Sequence, residues 1–318
     1  MEGSASGRRL TNDRRPTRSP TIKPADVATK VRSTLDNQII CGYQGWYSYP
    51  GDGAPVNKWK HWFSGATDPI AENLHVDMLP YTGEYDEADL RETNIQMKDG
   101  SKAKLYSAAK PNIVKKHFEW MKEYGIAGVF HMRFMEGIHN EKNCEWKNMV
   151  LRNVKKAAAE TGRIFAVSYN IAGASLDENV LEHLKEDWKV LVDTEKITQH
   201  GRYIRHGVNN LPVLRIYGIG FKTVNIANTS KLAELIDFFK NAPEERYRVF
   251  LVGGVPSRWH DLTHDSREEA SWRGTILAFL NTDIIIIIIF EIQSIELSSH
   301  HHIINHSLTS MSTNGRYL

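Results

Sequence analysis

Between residues 38 and 252, short apolar runs alternate with amphipathic segments of about ten to twenty residues, and this alternation limits the folds open to the chain. Extended runs occupy 38–46, 74–79, 126–132, 164–169, 212–217 and 247–252, with a further extended piece at 103–108. Helical spacing occupies 112–124, 142–160, 178–192 and 230–241, and a short helix at 25–35 precedes the first strand. In the first of the four, Ile113, Val114, Phe118, Trp120 and Met121 share a face, and Gly125 closes the segment. Strands separated by such helices form right-handed βαβ units and a parallel sheet. Polar, Gly-containing loops follow the strands, where barrel enzymes carry function. No glycine-rich phosphate fingerprint follows the first run, so an α/β (β/α)8 TIM-type barrel is expected over a doubly wound sheet. Six of its strands are countable, which makes the barrel incomplete, with the last two βα units missing.

The 318 residues are 41% hydrophobic and 25% charged, enough to build a sizeable core. A net charge of +2 argues against a nucleic-acid partner. Arg8, Arg9, Arg14, Arg15 and Arg18, set among Ser, Thr and Pro, make 1–35 a basic arm without core-forming capacity. The barrel domain is expected over 36–275. Beyond it, 276–318 holds six consecutive isoleucines and a His-rich stretch with no βα periodicity, an aberrant low-complexity tail of the kind a frameshift or read-through intron leaves. Asn281, Thr282 and Asp283 break its apolar run short of a membrane span, so no anchor is expected. Cys41 and Cys144 exclude a disulfide framework, and no metal or cofactor motif accompanies them. Without a secretory leader a cytoplasmic location is expected, although the Arg/Ser-rich start is also compatible with an organelle transit peptide.

One stretch stands apart in composition. Residues 42–63, GYQGWYSYPGDGAPVNKWKHWF, interleave Tyr43, Trp46, Tyr47, Tyr49, Trp59, Trp62 and Phe63 with glycine and proline. Two readings follow. Flat amphipathic rings on a loop suit the C–H face and rim hydroxyls of a sugar. Alternatively, the rings pack down as a lid on the domain.

These segments resemble the glycoside hydrolase family 71/99-like barrel proteins, relatives of the endo-α-mannosidases. The matching pieces are the aromatic stretch, VDMLPYTGEYDEADL, HFEWMKEYGIAGVFHMRF, FAVSYNIAGAS, DWKVLVDTEKITQHGRYIRH and VPSRWHDLTHDS, in the family's order over about 38–273. The resemblance implies a (β/α)8 barrel that handles glycans. The chain departs from the pattern at Tyr81 and Asn170, where relatives usually carry Asp, and Glu291 and Glu296 do not reproduce the relatives' glutamate pair.

Glycoside cleavage needs one carboxyl to protonate the leaving oxygen and a second as nucleophile or base. Asp77, in the apolar run VDML, is either an acid with a desolvation-raised pKa or a turn carboxylate. Glu136, four residues beyond Met132, suits a loop-borne acid. Glu84 and Asp86 fit a solvated loop better, and His131 a buried histidine. Candidate sugar-binding groups are Trp46, Tyr47, Trp59, Trp62, Arg133, Tyr169, Asn170 and Trp259. Of these, Arg133 fits structural pairing with a carboxylate better than hydroxyl binding, and Trp259 suits sugar stacking and the core equally. The expected function is therefore a glycoside hydrolase-like protein that acts on or binds an oligosaccharide. The alternatives are a non-catalytic carbohydrate-binding or scaffold protein on the same fold, or a non-functional product.

Overall fold

The structure is a computed structural model that describes residues 35–64, 68–171, 175–176, 178–222, 225–226, 229–259, 261–264 and 266–267. Apart from Leu35, the expected arm with its helix at 25–35, the tail and the last residues of the expected barrel domain, 268–275, lie outside the described residues.

Five strands form a parallel sheet: β1 (Ile40–Tyr43), β4 (Gly128–Phe134), β5 (Ile164–Asn170), β6 (Leu211–Tyr217) and β7 (Phe250–Gly254). They lie side by side in chain order. The intervening β2 (Leu90–Gln96) and β3 (Lys102–Tyr106) pair antiparallel as a separate hairpin. The fold is thus mixed α/β with a parallel sheet, as the alternation predicts. The sixth expected strand at 74–79 does not form. Its residues make a bridge between Leu74 and Phe63 and then an exposed bend, because neither Asp77 nor Met78 is buried.

Helices α1 (Pro111–Glu123), α2 (Glu141–Thr161), α3 (Glu178–Asp193) and α4 (Thr229–Asn241) fall between consecutive sheet strands. Pro111 suits the first turn of α1, where its missing N–H costs nothing. Asn140 caps α2 by accepting from the Asn143 N–H at 3.1 Å, and Gly162 ends it at φ +75°. With strands in sequential order, right-handed crossovers place the helices on one face of the sheet.

Two rows of side chains show which face is which. Arg133 and Tyr169, paired in register on β4 and β5, both reach Asp187 of α3 and so face the helices. Residues one position away face the opposite side. There Met132 stands beside Ser168, Ser168 beside Arg215 and Arg215 beside Val252, all buried. One step nearer the strand ends, Phe134, Asn170, Tyr217 and Gly254 form the last row. Both faces of β4 and β5 are closed to water, which explains their continuous apolar sequences.

Candidate functional site at the strand ends

The loop between β1 and the β2–β3 hairpin is organised by Asp52, a buried carboxylate. It accepts from the Ala54 N–H at 2.7 Å, the Ser107 hydroxyl at 2.7 Å and the Tyr49 N–H at 3.3 Å. Gly51 and Gly53 supply the φ of +88° and +96° that its turn requires. Ser48 and Lys60 then exchange backbone hydrogen bonds, folding the loop back on itself.

This geometry divides the aromatic cluster. Tyr47, Tyr49, Trp59, Trp62 and Phe63 form a second core with Leu105, Tyr106 and Ile113. Trp62 is 2% exposed, stacks on Tyr47 at 3.9 Å and donates its indole N–H to the Tyr106 carbonyl at 2.9 Å. Trp59 meets Phe63 edge-on at 5.1 Å. Their ring faces are spent on one another, which is the lid arrangement.

Trp46 behaves differently. It is half-buried, and its ring stacks on His61 at 4.3 Å and on Phe134, in the last row of the sheet, at 5.0 Å. Among the described residues its buried indole N–H has no acceptor, and the buried Gln44 side-chain carbonyl oxygen has no donor. Asn170 and Tyr217 continue the row, with the Arg215 guanidinium 4.8 Å from the Tyr217 ring. Gly254 leaves room for that ring, since a Cβ there would lie 2.8 Å from Tyr217 Cα and Cδ2. Trp259, half-buried in the turn after β7, packs against the main core.

Arg133 and Tyr169 lie on the helix side of the sheet. Arg133 is held by Asp187 at 2.6 and 2.5 Å and by the Asn148 side-chain oxygen at 2.9 Å, and Tyr169 donates to Asp187 at 2.6 Å. Burial alone would lower the Arg133 pKa, but the Asp187 carboxylate overrides it and raises it. Of the two expected carboxyls, Asp77 lies exposed in its bend. Glu136 is exposed on the loop after β4, where its backbone carbonyl accepts from Lys147 at 2.6 Å. Among the described residues no group of three or more His, Cys, Asp or Glu is placed to hold a metal.

Lys60, next to His61 in the chain, reaches the surface of α2. Lys60 lies 4.4 Å from the Trp146 ring centroid and donates to the Asn143 side-chain oxygen at 3.3 Å, both on α2. Lys147, also on α2, is half-buried. Desolvation, with the charges of Arg133 and Lys60, lowers its pKa to about 8. Desolvation and then Lys58 lower the Lys60 pKa, with Glu136 opposing. Desolvation of the His61 ring, then Lys60, His75 and Lys147, lowers its pKa in turn. His61 keeps an exposed edge, so water reduces that displacement while leaving its direction. These lysines escape a search for carboxylates and tryptophans, although the run Lys58–Lys60–His61 is visible in the sequence.

No protein-family model matches this chain. No curated protein matches it either. Among solved structures, it is similar to the GH99 endo-alpha-mannosidase from Bacteroides thetaiotaomicron in complex with BIS-TRIS-propane. That likeness has 18% identity, covers 69% of this chain and 53% of the other, and has a TM-score of 0.42. A second structure of the enzyme gives 18% identity, 69% and 56% coverage and a TM-score of 0.40. The chain spans about half the length of these structures.

Proposed function

We propose that this protein binds a glycan at the C-terminal ends of its parallel strands, on a sheet that forms part of a (β/α)8-type barrel. The observation that carries the reading is Trp46: stacked on Phe134 in the last row of the sheet, it keeps an indole N–H without an acceptor among the described residues. Ligands of parallel α/β folds bind outside the carboxyl ends of strands. The last row there carries Phe134, Asn170 and Tyr217, with Trp46 stacked on Phe134, a mixture of ring and polar side chains suited to a saccharide's apolar face and hydroxyl rim. For hydrolysis, Glu136 is the better placed of the two expected carboxyls, because it lies two residues beyond Phe134, the end of β4 that stacks on Trp46. Asp77 occupies a different loop.

Calorimetry with neutral and acidic oligosaccharides tests this reading. Trp46→Ala should weaken binding by about 1–3 kcal/mol, whereas Val208→Ser, at a residue 96% exposed elsewhere, should not. Absence of binding to every saccharide, or binding indifferent to Trp46→Ala, would refute it.

A further inference from the structure

Lys60 and Lys147 are half-buried cations whose hydrogen-bond partners among the described residues are neutral. Lys60 has an amide oxygen and an indole face, and Lys147 has a backbone carbonyl. Among the described residues neither has a carboxylate within ion-pair distance, unlike Lys104, Lys115, Lys116 or Lys185 on the same protein. The Asp187 carboxylate is bonded to the guanidinium of Arg133 and forms an ion pair with neither lysine. Placing two like charges together and partly out of water is unfavourable, and a fixed anion between them would offset that cost.

The site is built rather than incidental. Lys60 is positioned by the backbone exchange with Ser48 on one side and by Asn143 and Trp146 on the other. Asn143, Trp146 and Lys147 lie within about one turn of α2, so one helix surface serves both lysines. His61, stacked on Trp46, feels both charges and links the cations to the candidate sugar site.

We propose that Lys60 and Lys147 form a subsite for an oxyanion group, and that the glycan bound at Trp46 is acidic, carrying a carboxylate or sulfate. The identity of the ligand rests on the glycan reading above, whereas the oxyanion subsite does not. A carboxylate would accept from both ammonium groups while the adjoining sugar ring approaches Trp46, and charge-assisted bonds of this kind are the stronger class.

The test is calorimetry of the full chain with trigalacturonic acid, its fully methyl-esterified counterpart and inorganic sulfate, at low and high salt. The acid should bind at least about tenfold more tightly than the ester, the equivalent of one charge-assisted hydrogen bond. The Lys60→Gln/Lys147→Gln double variant, with folding checked by near-ultraviolet circular dichroism, should abolish that preference, and high salt should narrow it. Equal affinity for acid and ester, or a preference that survives in the double variant, overturns the acidic-glycan assignment. Lysine-dependent binding of sulfate without any saccharide binding would support the oxyanion subsite and sink the glycan reading. Trp46-dependent binding of the ester with no preference for acid would do the reverse. Absence of binding to all three probes would overturn both.

Discussion

Arg133 and Asp187 form a buried two-pronged ion pair that ties the last helix-facing row of the sheet to α3, with side chains 0% and 5% exposed. Tyr169 donates to the same carboxylate and Asn148 accepts from the same guanidinium, so the pair joins two strands and two helices. A buried pair contributes little net stability over an apolar replacement, but removing one member strands the other. Asp187→Ala should therefore cost about 3–5 kcal/mol in urea denaturation. A loss under about 1 kcal/mol would mean that water or another carboxylate reaches Arg133.

Trp62 should prove structural. Its ring stacks on Tyr47, its N–H is satisfied by Tyr106, and almost none of it meets solvent. Trp62→Ala should destabilise the protein by about 3–5 kcal/mol. Saccharide affinity of the folded fraction should stay unchanged. A variant of native stability with lost affinity would move Trp62 from the core to the binding surface.

The contrast between Trp62 and Trp46 shows what the sequence carries and where it stops. Periodicity located the four helices and the five parallel strands to within a few residues, because burial on both faces leaves long apolar runs. It fails at 74–79, where VDML imitates a strand but, among the described residues, only the Leu74–Phe63 bridge pairs with it and Asp77 and Met78 are exposed. The aromatic stretch was legible as unusual, with both the ligand-facing and lid readings open. Which ring does which depends on where Asp52 turns the loop and on contact with β2–β3, and both are long-range. Likewise Arg133 and Asp187 lie 54 positions apart, and nothing local joins them.

Gly128 is set by close approach of backbones. It pairs in register with Ile164, and a Cβ at this position would lie 1.8 Å from the Ile164 carbonyl oxygen. Real side chains do not tolerate such a distance, and the obstacle is main chain that cannot rotate away. Gly128→Ala should force β4 and β5 apart and cost more than about 3 kcal/mol, beyond ordinary overpacking. A melting temperature within a few degrees of wild type would show that the two strands are less closely apposed at this level.

Lys147 gives a pH signature that separates its charge from the rest of the molecule. Its folded pKa is lowered to about 8 from 10.5, by desolvation first and then by Arg133 and Lys60, while Cys144 and Asp187 oppose. Below pH 8 both folded and unfolded chains hold the proton, and the folded state bears the full cost of the charge. Between about pH 8 and 10.5 the unfolded chain keeps a proton that the folded side chain has released, so stability contributed by this site rises with pH. Other lysines and tyrosines titrate in the same window, but the difference between wild type and Lys147→Met cancels them to first order. Urea denaturation at pH 7, 8.5 and 10 should show the variant gaining relative stability at pH 7 and losing that advantage by pH 10. Sulfate should raise wild-type stability at pH 7, where the ammonium is charged, and have less effect at pH 10, since an anion that prefers the charged form shifts the same equilibrium. A difference between the two proteins that stays constant across this range would mean that Lys147 is as well solvated in the folded chain as in the unfolded one.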